Sequence, residues 1–414
     1  MKLKKVDVYI LYLIILLFMI KDLVINNNFI NSILCVFFMF SLTILKIFKN
    51  VNLFDKRFII KNFFIFVFLA IQLIIIVLFK FNVSSISIYL NICFYLFTIY
   101  LFFDEYKKDF NKFIKFIIMI NLIVNFISLI FIGLSYLNIF NINLFFNKKF
   151  LFGLYINYNS VGITTLISLI LYLNYIFKPK KIFSYIYILF SIFIIIVSEC
   201  RTALYTFIIY IILVLILKIF KKKLKFIITI FNVLFVVFVF SYLCIIYAYK
   251  DNKDFNIIEK KIDNFTTHRY LLSKYSLLSL EKNIYFGINN ESISSMRYKI
   301  IPNKIKKKYN SGTTLELIKS NNNNHNSYVD IIVNQGILIF LLFLFFIITN
   351  FYKTKEKNLP ILYSILVISF FETSLLITKN MVMLVFIFLL SNKNIIEDNK
   401  NQKNQSLKSL NNKE

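Results

Sequence analysis

From residue 6 to residue 391 this chain is a succession of apolar runs, most of them close to the roughly 20 residues that a helix needs to cross a bilayer. Hydrophobic residues make up 59% of the 414 and charged residues 16%; ordinary soluble proteins carry roughly 45–50% apolar and about 25% charged residues. A water-soluble domain of this size has too little polar surface to cover such a content, so a soluble enzyme is excluded. The sequence predicts an all-α fold, a polytopic transmembrane helical bundle of about twelve spans. These cover roughly 6–25, 29–48, 58–79, 83–103, 113–135, 154–177, 182–199, 201–219, 226–249, 326–350, 359–374 and 377–391. The last two are short, and a single re-entrant hairpin is an alternative to them. The first lacks a small-residue cleavage site and is read as retained. The chain thus divides into an N-terminal set of nine helices (1–249), a large extracytoplasmic loop (250–325), three C-terminal helices (326–391) and an Asn/Lys-rich disordered tail (392–414).

The placement of cations sets the orientation. The 48 Lys and Arg residues against 20 acids give a net charge of +28. With both termini in the cytoplasm, 28 cations fall on inward segments, six on short outward turns, and 14 on the 250–324 loop, which is too long for the positive-inside rule to govern. The basic charge is therefore mainly a topology signal of a multi-pass plasma-membrane protein, and nucleic acid is not an expected partner. The loop's seven acids leave it an excess of +7, which suits lipid headgroups or a phosphate-bearing lipid substrate. No tryptophan is present, so tyrosine must supply the interfacial aromatic belt.

Small counts exclude several chemistries. The six glycines have no P-loop or dinucleotide spacing, and the two histidines, His268 and His325, cannot form a helical HExxH zinc site. Cys35, Cys93, Cys200 and Cys244 form no CxxC pair and read as small buried hydrophobes. No cofactor and no metal are expected.

Three stretches carry candidate chemistry. In the loop, Thr266 and Thr267 are placed to cap a helix beginning near His268, in which Leu271, Tyr275 and Leu278 recur at helical spacing. That face is expected to lie along the bilayer surface and hold Arg269 at the lipid–water boundary, with Asn283 and Gly287 ending the helix. The loop closes with Asn321 to Asn324, which reads as flexible. The second stretch is Ser198-Glu199-Cys200-Arg201-Thr202-Ala203, at a tight external turn. Only four arginines occur in a chain that otherwise uses lysine, and guanidinium binds phosphate oxygens bidentately. The bland alternative is a cation snorkelling to headgroups beside Glu199. The third stretch runs from His325 to Gly336. Asn326, Asp330 and Asn334 follow at four-residue steps on one helical face. Asp330 stands about 140° around the helix from His325, so it braces the helix and does not relay the histidine's proton.

Together these residues resemble the O-antigen ligase and O-antigen polymerase superfamily of bacterial membrane glycosyltransferases. His325-Asn326, nine residues, then Gly336 is similar to the ligase pattern, although Ile339 stands where that pattern has a small residue. Ser198 to Ala203 resembles the family's Ser-x-Ser-Arg-x-small turn, with Cys200 replacing the second serine. Arg269 with the 280–287 stretch is similar to the family's loop element, and Asn157-Tyr158-Asn159 loosely resembles another. The resemblance covers roughly 155–350. It implies a donor glycan on undecaprenyl diphosphate, a sugar or lipid-linked acceptor, and transfer without metal or nucleotide. His325 would be the base for the acceptor hydroxyl, with Arg201 and Arg269 neutralising the diphosphate. Asn326, Asn159 and Tyr270 would be substrate contacts, and Asp330, Asn334 and Gly336 structural support. The product would be an O-antigen, capsular or other cell-envelope polysaccharide, with polymerase and ligase differing only in acceptor. A lipid-linked oligosaccharide transporter or flippase is the alternative. Such proteins carry broken helices with Gly/Pro interruptions and repeat symmetry; here the three prolines lie in loops or at segment ends and no internal repeat is visible.

Overall fold

The computed structural model describes residues 3–20, 23, 28–49, 56–80, 82–136, 146–147, 150–151, 155, 158–179, 181–249, 257–266, 269–280, 283–288, 296–297, 299–301, 325–375 and 380–393. His268, Thr267, Asn321 to Asn324 and the tail beyond Lys393, all singled out above, lie outside them.

Each expected apolar segment forms helix, because a backbone in lipid must satisfy its own N–H and C=O groups. In chain order these are α1 (Leu3–Ile20), α2 (Asn28–Lys49), the short α3 (Lys56–Lys61), α4 (Phe63–Phe79), α5 (Val83–Ile92), a four-residue α6 (Phe103–Tyr106), α7 (Phe110–Tyr136), α8 (Tyr158–Tyr175), α9 (Ile182–Val197), α10 (Arg201–Ile219) and α11 (Leu224–Ala248). The loop contributes α12 (Ile257–Phe265) and α13 (Arg269–Leu278), and the C-terminal part α14 (Ser327–Gln335), α15 (Ile337–Phe351), α16 (Leu359–Phe371) and α17 (Met381–Ser391). Among the described residues the only strands are a two-residue antiparallel pair, Phe146–Asn147 with Phe150–Leu151. Three stretches are long and apolar enough to cross a membrane unaided: Phe110–Ile132, Arg201–Ile219 and Leu224–Ala248. Large side chains such as Leu78, Phe183, Leu189, Leu215 and Phe238 are exposed on α4, α9, α10 and α11. An apolar surface that broad needs lipid against it.

The centre is built from α8, buried along its middle (161–171), and from α16 and α17, whose residues are almost all buried. α16 and α17 form a hairpin closed at its base, where Lys355 N–H donates to the Asn392 carbonyl (3.2 Å) and Asn358 Nδ2 to the Leu389 carbonyl (2.9 Å). With 13 and 11 residues, the arms reach only about 20 and 17 Å at ~1.5 Å per residue, short of a hydrocarbon core of about 30 Å. A π-helix over Cys93–Leu101 continues α5 and packs beside α17. Its wider winding brings Tyr95 and Tyr100, five residues apart, towards the hairpin and α15: Tyr95 Oη donates to the Asn380 carbonyl (3.4 Å) and Tyr100 Oη to Asn350 Oδ1. Lys46, buried, bonds Asp7 (2.9 Å) and Glu105 (2.6 Å) and ties α1, α2 and α6 together.

Two expectations need correction. The continuous span over 326–350 is broken at Gly336 (φ 88°) into α14 and α15. The interruption is where the loop's Ile284 to Ile288 docks by its backbone: Ile288 N–H donates to the Val333 carbonyl (2.7 Å) and Ile337 N–H to the Ile284 carbonyl (2.9 Å). Lys80 Nζ takes the Asn334 carbonyl at 2.5 Å, so carbonyls left over at the break are satisfied. Secondly, α13 leaves no apolar face exposed to a lipid surface. Tyr270 to Leu277 are all buried, because the helix is wedged between α12 and α14 and its polar side is taken up inside the loop. There Lys274 pairs with Glu259 (2.6 Å) and Tyr270 Oη donates to the same carboxylate (3.0 Å).

Candidate active site

His325 lies just before the cap of α14 with a left-handed backbone (φ 50°), a costly conformation for a residue with a Cβ. It is held there from the next residue onward. Asn326 caps the helix, its Oδ1 accepting from Tyr328 N–H (3.0 Å) and Val329 N–H (3.2 Å). Ser327 Oγ donates to the Glu372 carbonyl (2.7 Å) and accepts from Ser374 N–H (2.7 Å) and Leu375 N–H (3.1 Å). Thr373 Oγ1 donates to Asp330 Oδ2. The start of α14 and the tip of the hairpin are therefore stitched together over one helical turn.

That stitching sets Glu372, just past the end of α16, opposite His325. Glu372 Oε2 lies 3.3 Å from His325 Nδ1, while Oε1 accepts from Arg269 Nη2 (2.5 Å) and Asn159 Nδ2 (2.9 Å). One carboxylate thus joins side chains from α8, α13 and the start of α14. The cluster is recessed but open: the side chains of Arg269, Glu372 and His325 are 12%, 15% and 31% exposed.

Arg201 stands at the rim. It is exposed at the first position of α10, and no hydrogen bond joins it to Glu372, Arg269 or His325. Its neighbour Cys200 approaches the Asn159 carbonyl (Sγ···O 3.9 Å). The turn, with Glu199 at φ 52°, sits directly on Gly162, where an added Cβ would come within 2.3 Å of Cys200 Cβ. Burial pushes the Cys200 thiol up to about 12, so it is no nucleophile at neutral pH.

Apart from Arg201 at the rim, the sequence-predicted set therefore separates into three groups. His325, Arg269 and Asn159 meet on Glu372. Asn326, Asp330, Asn334 and Gly336 serve the helix: Asn326 as its cap, Asp330 as partner of Thr373, Asn334 through an Nδ2 bond to the Asp330 carbonyl (2.9 Å), and Gly336 as the break. Tyr270, fully buried, turns its hydroxyl into the loop core. Sequence reasoning missed two groups. One is Glu372, an acid at the apex between two apolar runs, where an ionisable group is itself a functional signal. The other is Arg297, fully buried beside Ser276 (Nη1···Oγ 3.4 Å), with Asp330's charge opposing the lowering of its pKa by burial. Among the described residues, no group of three or more His, Cys, Asp or Glu side chains is arranged to hold a metal ion.

Residues 186–344 match the family model described as O-Antigen ligase. No curated protein and no solved structure matches the chain. The matched stretch runs from α9 into α15 and contains Arg201, Arg269 and His325, whereas Asn159 and Glu372 reach the cluster from outside it. Residues 186–344 of this membrane protein are thus similar to an O-antigen ligase domain, and that likeness supports the resemblance to the O-antigen ligase/polymerase superfamily.

Proposed function

We propose that the protein is an integral membrane glycosyltransferase that moves a glycan from a polyprenyl diphosphate carrier, undecaprenyl diphosphate, to a sugar hydroxyl of an acceptor at the extracytoplasmic face of the plasma membrane. About twelve membrane segments, the last two forming a re-entrant hairpin, would place both termini in the cytoplasm. The observation that supports this reading is the Glu372 junction, which sets an imidazole and a guanidinium side by side.

In the reaction, His325 with its Nδ1–H turned to Glu372 accepts the acceptor's hydroxyl proton at Nε2. The acceptor oxygen attacks the anomeric carbon, and the bond from that carbon to the diphosphate oxygen breaks. The electron pair leaves with the diphosphate, whose growing charge Arg269, and Arg201 at the rim, neutralise. Asn159 holds the carboxylate that aligns the ring. Arginine suits this role better than lysine because two parallel N–H groups match two phosphate oxygens. Polymerase and ligase activities share every one of these steps and differ in the acceptor: a second lipid-linked repeat unit, or another carrier. The Ile339 departure favours the polymerase.

Converting His325 to Ala should abolish extension of undecaprenyl-diphosphate-linked repeat units by the purified protein, assayed without added metal or nucleotide, while membrane insertion stays normal. Ordinary glycan laddering from that variant would overturn the reading. A flippase would need an opening around its broken helix; the Gly336 break is instead closed by the docked loop backbone.

A further inference from the structure

The Glu372 carboxylate is divided unevenly among its partners. Arg269 holds Oε1 at 2.5 Å and Asn159 at 2.9 Å, whereas His325 is 3.3 Å from Oε2. The tightest partner is the guanidinium that glycan transfer requires for the diphosphate. Arg269 Nη2 cannot serve a carboxylate and a phosphate oxygen at full strength together, and a diphosphate offers more charge and more acceptor oxygens than one carboxylate. Of the carboxylates around it, Asp330 accepts from Thr373 and acts on Arg297, and Asp263 accepts from Leu271 N–H, whereas Glu372 reaches both the base and the phosphate-binding cation.

We propose that Glu372 is an exchange residue: the donor's diphosphate takes Arg269 from it, and the carboxylate so released braces His325 as the ring accepts the acceptor's proton. The inference rests on the glycan-transfer reading above. While Arg269 is attached, its positive charge cancels that of Glu372 and the ring gains little from the carboxylate. Once the guanidinium has turned to the diphosphate, one uncompensated negative charge faces the imidazole, and protonation of the ring becomes more favourable. Arrival of the donor thereby switches on the base, and the acceptor hydroxyl is activated only when there is something for it to attack. Glu372 acts through Arg269 and His325 and is a positioning residue.

The test uses the full-length protein in nanodiscs, titrated with undecaprenyl diphosphate, alongside steady-state transfer kinetics. Glu372→Gln removes the competitor for Arg269, so the carrier should bind about tenfold tighter, equivalent to about 1.4 kcal/mol, while kcat falls by about 100-fold or more. A purely structural role predicts weaker binding together with lower turnover. In an Arg269→Gln background the tightening should vanish, because there is no guanidinium left to compete for. Glu372→Asp, which keeps the charge but cannot reach both partners, should bind with an affinity between those of the wild type and the Gln variant; it provides the same comparison if the Gln variant does not fold. Unchanged or weaker binding by a well-folded Gln or Asp variant overturns the exchange and leaves the transfer reading standing, as does tightening that persists without Arg269. Failure of the wild-type protein to bind undecaprenyl diphosphate overturns the transfer reading and the exchange with it.

Discussion

Arg201 and Arg269 share one expected role and differ in place: one is exposed at the start of α10, the other is clamped on a carboxylate. Arg201→Lys therefore separates two roles. If Arg201 grips phosphate oxygens in pairs, lysine should cost about tenfold or more in transfer at unchanged expression, since an ammonium makes single contacts; full activity with lysine would mean a cation that only snorkels to headgroups. These residues also show what a sequence makes legible. His325 and Arg269 stand out because imidazole and guanidinium are scarce in this chain, and a rare polar group in an apolar protein signals a purpose. Glu372 was overlooked because its partners lie 47, 103 and 213 positions away, and sequence spacing carries no trace of a contact made by folding a hairpin against three other elements.

At the scale of elements, hydropathy located the helices well and their interruptions poorly. The run through 326–350 is unbrokenly apolar from Ile337 to Ile348, and the polar Asn334 and Gln335 before it fit a continuous helix as well as a broken one. The information lies in Gly336, whose φ of 88° and close backbone neighbours only glycine tolerates; a Cβ there would fall 2.0 Å from the Tyr285 carbonyl oxygen. Gly287, at φ 71°, is its counterpart across the contact, with a Cβ placed 2.6 Å from the Val333 oxygen. Gly336→Ala should destabilise by at least about 2 kcal/mol, through strain and the lost docking of the loop, and should lower melting temperature and protease resistance together. An alanine variant as stable as the wild type would show that the loop does not bind there. The amphipathic pattern of α13 was legible, but not what it faces: an apolar stripe fits a lipid surface and a protein groove equally well, and the buried Lys274–Glu259 pair decides for the groove.

For the molecule as a whole, the lysine-rich turns and the site lie at opposite ends. Tyr175 Oη reaches Asn358 Oδ1 at the base of the hairpin, close in sequence to the basic 178–181 and 353–357 turns, whereas Asn159, at the other end of α8, reaches Glu372 at the hairpin's tip. Single cysteines introduced into 250–324 should therefore react with an impermeant maleimide in intact cells, and cysteines in 107–115 or 353–357 only after permeabilisation; the reverse pattern would invert the topology. The short-armed hairpin has one more consequence. Its carboxylate is fastened from below, by the clasp that joins Lys355 to Asn392, so the position of that charged group beside Arg269 and His325 is measured out by a count of residues from the far end. One residue inserted midway along Leu359–Phe371 would swing Glu372 by about 100° and lift it by ~1.5 Å, so that it points away from both the imidazole and the guanidinium while every polar residue of the cluster is still present.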